Sequence, residues 1–314
     1  MSQRKIIMGI DTSNYTTSCA LMYSDGELIA NLKIPLPVKA GEVGLRQSEA
    51  VFSHIKNLPE IMKKAKEVLC GKPISAIGVS TRPRNIDGSY MPCFLCGKAA
   101  AHSVSAAMGI PVCEFSHQCG HIMAAIYSSG AECLLDGRQF AAFHISGGTT
   151  ELLRVRFNGK CFEAELLGGT NDLNAGQVID RVGTKMGFPF PAGVHIENCA
   201  LENTKKIPGR KPKVNGFEIS LSGLENLAMK LYSESSDKSL VSAFVLDYIG
   251  EGISSLCDAY IQKYGESVFV FAGGVMSDSI IKEKLKSRFP SYFASPDMSA
   301  DNAVGICALT LRNL

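Results

Sequence analysis

A short apolar run that ends in a small-polar turn and then a hairpin occurs twice in this chain, about 135 residues apart. KIIMGI (5–10) runs into DTSNYTTS and a hairpin around Ser24-Asp25-Gly26, and QFAAFHI (139–145) runs into SGGTT (146–150) and a hairpin around Asn158-Gly159-Lys160. Asp-Gly and Asn-Gly between alternating apolar residues favour tight hairpin turns, because those residues accept positive φ. A chain that repeats this opening is constrained to start two sheets in the same way.

Each opening is followed by βα units. Residues 47–69 read as a helix, 74–80 as a strand, 96–109 as a helix and 111–115 as a strand, with a helix beginning at His117. In the second half, 240–265 carries apolar residues at helical spacing, 267–275 is a buried strand ending in a Gly turn, and a further helix, a strand near Tyr292-Phe293 and a helix from Asn302 close the chain. A length of 314 residues is long for one core. The division expected is an N-terminal lobe of residues 1–110 and a C-terminal lobe of 111–314. Two hairpin-then-βα copies with phosphate-sized turns describe an α/β, two-lobed actin-like and Hsp70-like ATPase (ASKHA) fold with duplicated ribonuclease-H-like domains, a nucleotide lying in the cleft between lobes. Two unrelated α/β domains with ordinary turns are the alternative.

Several residue groups carry chemistry. His117 and His121 are four apart at the start of a helix, so both imidazoles share one face and can reach one cation. Gln118 occupies the position where a zinc protease needs Glu, which removes that reading. Asp301, just before the last helix, is the candidate third ligand; a chance His pair is the alternative. Ser146, Gly147, Gly148, Thr149 and Thr150 form a phosphate-loop candidate, since glycines let backbone N–H groups approach an anion and hydroxyls add donors. Gly273 and Gly274 follow a buried strand and precede a helix, where a nucleoside could stack. Asp180 and Gly193 lie on a helix and on the Pro/Gly loop after it, and a carboxylate there suits a ribose diol, though a solvated helix Asp reads the same. Asp11 is the acidic residue of the first small-polar turn, placed to handle phosphate chemistry.

Composition adds limits. A net charge of +2 neither demands nor excludes a nucleic-acid partner, and Lys205, Lys206, Arg210, Lys211 and Lys213 form a basic loop suited to a phosphate backbone. Eleven cysteines scattered through apolar segments read as free thiols in a reducing cytoplasm, with Cys93 and Cys96 on a helix packing face. The apolar stretch in MSQRKIIMGID is too short for a signal-peptide core, and no run approaches the ~18 apolar residues of a membrane span. Asn14-Tyr15-Thr16 matches a glycosylation sequon that has no meaning without secretion.

Together these segments resemble the TsaD family of tRNA threonylcarbamoyltransferases. The family's LGIETS is similar to Gly9 to Ser13, its HxxxH to His117 and His121, and its VSGGHTxL to Ile145 to Leu152. Its DDAAGEAFDKVAxxLGLPYPGGPxIexLA runs along Asp172 to Ala200, FSFSGLKT along Glu218 to Leu224, AGGVxxN along Ala272 to Asp278, and CTDNAAMIA along Ser299 to Ala303. The resemblance implies ribose contacts at Asp180, Gly193 and Glu197, a nucleotide loop reaching Asp278, and one divalent metal (Fe or Zn) on His117, His121 and Asp301. It implies catalytic roles around Asp11, His117 and His121. The implied reaction is transfer of a threonylcarbamoyl (or carbamoyl) group from an adenylate to the adenosine next to the tRNA anticodon, in the cytoplasm, with tRNA and a TsaB-like homologous subunit or a second copy as partners and an adenine nucleotide or threonylcarbamoyl-adenylate bound. No membrane is implied.

The departures from the family pattern point to a divergent paralogue. The family's Cys-Asp-Glu-Thr is Asn14-Tyr15-Thr16-Thr17 here; Ala-Ser-Arg-x-His becomes Ala50 to His54 without the Arg; and Gly-Pro-Gly becomes Pro83-Arg84-Asn85. Thr149, Gln177, Glu225 and Asp278 replace the family's His, Glu, Lys and Asn. Transfer to a small-molecule acceptor and a non-catalytic nucleotide-binding role are the alternatives that these changes raise.

Overall fold

The computed structural model describes residues 4–13, 15–37 and 45–314. Residues 1–3 of the N-terminal stretch and Asn14, where the family's acidic pattern and the sequon begin, lie outside the described residues. The chain divides into two compact units, residues 1–137 with 157–163 and 300–314, and residues 138–156 with 164–299.

In the first unit, β1 (Ile6–Ser13) is buried at every position, as a central strand covered on both faces requires. It pairs antiparallel with β2 (Thr16–Tyr23), which pairs with β3 (Leu28–Pro35) across the expected turn, where Gly26 has φ of 91°. Helix α1 (Gln47–Leu69) leads to β4 (Ala76–Arg82), parallel to β1, and α2 (Phe94–Met108) leads to β5 (Val112–Ser116), giving the order β3-β2-β1-β4-β5. Ile6, Met8, Ile10, Leu21, Ile77 and Val79 pack on Ile61 and Ala65 of α1 and Ala101 of α2. Helix α3 (His117–Ser129) follows β5 directly.

The chain's last helix, Val304–Leu311, returns to this unit. It approaches so closely that a Cβ on Gly9 of β1 would lie 2.6 Å from the Ala303 carbonyl oxygen. The sequence places the domain break at 110/111; the structure differs, because β5 and α3 complete the first unit and the last helix covers its sheet.

The second unit opens with β6 (Gln139–Ile145) and holds β7 (Thr150–Phe157) and β8 (Phe162–Thr170) apart from residues 157–163 at their connection, which group with the first unit. The β7–β8 turn is the expected one: Asn158 Oδ1 accepts from the Lys160 and Cys161 amides, and Gly159 has φ of 91°. Then come α4 (Ala175–Lys185), α5 (Gly193–Leu201), the short pair β9 (Val214–Asn215) and β10 (Glu218–Ile219), α6 (Ser222–Ser235), α7 (Lys238–Tyr264), β11 (Phe269–Ala272), α8 (Ser279–Lys286), β12 (Ser291–Phe293) and α9 (Pro296–Ser299). The sheet order is β12-β11-β6-β7-β8-β10-β9. Its β8-β7-β6-β11-β12 portion repeats the order of the first sheet, with β6 antiparallel to β7 and parallel to β11. The duplication is therefore in the folded topology as well as in the sequence.

By length and composition α7 is apolar enough to cross a membrane, but 78% of that window is buried within the protein. A helix apolar on all sides is what a core position demands; Phe244, Ile249, Ile253, Leu256 and Tyr260 form the centre of the second unit's core.

Candidate metal centre and nucleotide loops

In the first unit, the start of α3 is set by Ser116, whose hydroxyl accepts from the Cys119 amide and ends the extended backbone of β5. The helix therefore begins at His117, and one turn later His121 lies on the same face, the two Nε2 atoms 2.9 Å apart. Asp301 Oδ1 lies 3.6 Å from His117 Nε2 and 3.4 Å from His121 Nε2.

What brings Asp301 there is helix packing. The last helix meets α3 with glycine on both sides, a Cβ on Gly305 falling 1.9 Å from the Gly120 carbonyl oxygen. The preceding loop is tied by Asn302, which accepts from the Val304 amide and donates to the Ala300 carbonyl.

Behind His117 stands Asp11, fully buried at the end of β1. His117 Nδ1–H donates to Asp11 Oδ1 over 3.0 Å, and the Ser80 hydroxyl of β4 donates to the same carboxylate. This fixes the tautomer and leaves His117 Nε2 toward His121 and Asp301. Burial opposes a charged Asp11, but His117 and Ser80 hold its carboxyl below the usual range. Burial likewise opposes a charged His117, yet the charge and hydrogen bond of Asp11, with Asp301, raise it to about 9. For Asp301, burial is outweighed by the hydrogen bond from His121 and the charges of both histidines, and its carboxyl is held low.

Two imidazole nitrogens and a carboxylate oxygen within 4.8 Å of one another form the donor set of a small divalent cation. A carboxylate on the far nitrogen of a ligand His is the support such sites carry. The residues fit a metal. Below about pH 9 a proton on His117 competes with that metal. Cation affinity should therefore rise roughly tenfold per pH unit toward pH 9 and level off above it, which calorimetric titration at stepped pH would read.

In the second unit, β6 and β11 run parallel in register Ala272↔His144, so their ends deliver both Gly turns to one place. Gly273, with φ of 100°, sits where a Cβ would lie 2.2 Å from the Ile145 carbonyl oxygen. Gly147 and Gly148 are exposed and face open space, while the turn is closed by Ser146 N donating to Thr149 O and Gly148 N to Ser146 Oγ. Substituting Gly273 by Ala should cost about 2–4 kcal/mol, from positive-φ strain plus a backbone clash, visible as a lowered denaturation midpoint. The same change at Gly147 meets nothing within 4 Å and should be neutral.

The other expected nucleotide residues hold the frame of these turns. Thr150 is buried and its hydroxyl accepts from the Ala175 amide at the start of α4. Asp180, its carboxyl raised by burial, accepts from the Ala192 amide and so sets the loop leading into Gly193, the first residue of α5. Glu197 Oε1 accepts from the Ser279 amide and hydroxyl. Its neighbour Asp278 caps α8 through the Ile281 amide, and burial, with the Glu197 charge, pushes its carboxyl up to about 6.

The structure gives partners to the retained His54 and to residues at which the family pattern is broken. His54 is buried, donating Nε2–H to Ser13 O and bonded through Nδ1 to Thr17. Gln177 accepts from the Asn174 amide as half of a capping box, and Glu225 pairs with Lys185 and Arg181. Cys93 and Cys96 are buried around the start of α2, where Thr12 donates to the Cys93 carbonyl, consistent with the packing role expected of them. A group that sequence reasoning missed joins Asn85 to Cys119 and Cys161; residues up to 76 apart give no local signal.

Two α/β units with equivalent sheets and Gly turns at strand ends define an actin-like ATPase fold, and solved structures agree. HypF, in a phosphate- and nucleotide-bound form, superimposes with a TM-score of 0.61 at 12% identity over 99% of this chain and 46% of that one. The Acidaminococcus fermentans (R)-2-hydroxyglutaryl-CoA dehydratase component A gives 0.53 at 15%, covering 98% of both chains. A ROK family glucokinase from Streptomyces griseus gives 0.51 at 13%, covering 97% of this chain and 98% of that one.

Residues 39–307 match the family TsaD, tRNA N6-adenosine threonylcarbamoyltransferase, and the chain belongs to it. Relatives bearing that name include those of Streptococcus suis, 27% identical over 92% of this chain and 85% of theirs, and Christiangramia forsetii, 28% over 91% and 85%. That of Methanopyrus kandleri is 24% identical over 96% and 85%.

Proposed function

We propose that this protein transfers a threonylcarbamoyl group from an adenylate to the adenosine beside a tRNA anticodon, with His117, His121 and Asp301 holding one divalent cation. The observation that carries this reading is the convergence of those three side chains, backed by Asp11, in a chain that belongs to a transferase family. A bound cation supplies Lewis-acid polarisation of a carbonyl or phosphoryl oxygen. The chain's own contribution is geometric and electrostatic. Asp11 holds the proton on His117 Nδ1, and Ser80 and Ser13 N fix the carboxylate that does so.

In the second unit, the Ser146–Gly148 and Gly273–Gly274 turns offer backbone N–H groups to the phosphate of the adenylate, and Asp180, Gly193, Glu197 and Asp278 frame its nucleoside. None of these residues needs to act as a covalent nucleophile. The exposed Lys205, Lys206, Arg210, Lys211 and Lys213 would meet tRNA phosphates, with Lys205 also paired to Asp237. A TsaB-like subunit or second copy as partner and a cytoplasmic setting belong to the same reading, as does iron or zinc as the cation. The test is incubation with threonylcarbamoyl-adenylate and tRNA, with modified nucleoside read by mass spectrometry after digestion. Modification of tRNA supports the reading, and intact adenylate with unmodified tRNA counts against it.

One observation favours a second acceptor class. Where the family carries Lys, this chain has Glu225, tied to Lys185 at 2.5 Å, so a cationic contact is replaced by a neutralised one. A small-molecule acceptor, with the same adenylate chemistry, would need no such cation. Low-salt binding of bulk tRNA separates the two.

A further inference from the structure

Helix α3 also carries a thiol, Cys119, two residues from each of His117 and His121. Cys119, one per cent exposed, lies with its Sγ 2.9 Å from Cys161 Sγ at the β7–β8 tip. Asn85 Nδ2 lies 3.1 Å from Cys119 Sγ and 3.4 Å from Cys161 Sγ, and also donates to the Phe162 carbonyl. The amide is oriented by Arg82, whose Nη2 donates to Asn85 Oδ1 over 2.9 Å. All of these residues belong to the first unit.

We propose that Cys119 and Cys161 form a redox modification site, a thiol pair that hydrogen peroxide converts to a reversible disulfide, with Asn85 positioning both sulfurs. Cys161 is the half-exposed member and meets the oxidant first. The hydrogen bond it shares with Cys119, against the cost of burial and with help from Asn85 and the Arg82 charge, holds the Cys161 thiol below the usual range and favours its thiolate. Cys161 sulfur attacks the peroxide: an S–O bond forms, the O–O bond breaks, and hydroxide leaves to take up the proton that Cys161 had released. Cys119 sulfur then attacks Cys161 sulfur: the S–S bond forms, the S–O bond breaks, and the departing hydroxide takes the Cys119 proton. Two thiols and one peroxide give one disulfide and two waters, a two-electron exchange.

Closing from 2.9 Å to a bonded S–S separation of about 2.0 Å asks for less than an ångström of motion. Burial pushes Cys19 and Cys93 up to about 12, where thiolate is scarce at neutral pH; the hydrogen bond to Cys161 and burial raise Cys119 too, so it enters the second step as the thiol.

The test uses the full chain, treated with one equivalent of hydrogen peroxide, alkylated, and mapped by mass spectrometry without reduction. The Cys119–Cys161 disulfide should form ahead of any other among the eleven cysteines and be reversed by dithiothreitol. Asn85→Ala should slow it about tenfold and move the pH midpoint of Cys161 alkylation upward, whereas a merely structural Asn85 would leave that midpoint in place. Cys161→Ser should leave Cys119 alkylatable after denaturation. Oxidation of Cys161 to sulfinic acid with Cys119 still a thiol, or earlier formation of another pair, overturns the proposal. The wild-type map alone decides this should Asn85→Ala fail to fold.

Discussion

His117→Ala is expected to lower affinity for a divalent cation by about 10²–10³-fold and to abolish transfer with it, while the fold survives. Cation binding to a small set of His, Cys and carboxylate ligands is worth roughly 10–16 kcal/mol in total, so each ligand carries a few. With three candidate ligands converging here, the loss of one would leave a pair that cannot hold the ion against buffer. Asp11→Ala should act more gently, about 10–100-fold on affinity, because it removes the acceptor of His117 Nδ1–H and frees the ring to turn. The ranking is itself a check. If Asp11→Ala damaged cation binding more than His117→Ala did, Asp11 would be a ligand rather than a positioning residue. Metal analysis after dialysis reads both variants.

Gly305→Ala should be the most damaging single-methyl change to the first unit, at about 3–5 kcal/mol, or roughly 10 °C in midpoint. Its Cβ would fall 1.9 Å from the Gly120 carbonyl oxygen and 2.7 Å from the Ala124 amide, both backbone atoms of α3 that no rotamer change can move. The last helix must then back away from α3, carrying Asp301 from the two histidines. The expected result is therefore a joint loss, with a lower midpoint and little or no stabilisation by added cation, whereas wild type gains stability as RT ln(1 + [M]/Kd). A variant as stable as wild type and equally stabilised by metal would refute this packing account. Thermal melts with and without added cation decide it.

The histidine pair was legible because everything that sets it is local: Ser116 starts the helix and the 3.6-residue turn does the rest. The hairpins were legible for the same reason. Asp301 could be singled out by residue type alone, since what places it beside α3 is a glycine-to-glycine helix contact across 185 residues, Gly120 to Gly305. Asp11 shows the opposite case. A carboxylate ending a strand reads as a phosphate-side residue, yet in the fold it is fully buried and bound to Ser80 and His117; which face of a doubly covered strand meets which neighbour is not written in a continuous apolar run. Asp180 and Thr150 sit on the expected segments, but their acceptor atoms are engaged by the amides of Ala192 and Ala175, and such pairings depend on loop geometry rather than on spacing. The domain break at 110/111 missed the return of the last helix, an event at the opposite end of the chain.

The most direct measurement of the central claim is mass-spectrometric quantitation of N6-threonylcarbamoyl-adenosine in tRNA after incubation with threonylcarbamoyl-adenylate and either the wild-type protein or Asp301→Ala. Asp301 lies 3.6 Å and 3.4 Å from the two histidines and is the candidate ligand placed by tertiary packing alone. The account expects modified nucleoside with wild type and less than about one per cent of it with Asp301→Ala, in line with the loss of one of three ligands. Equal product from the two proteins would contradict it.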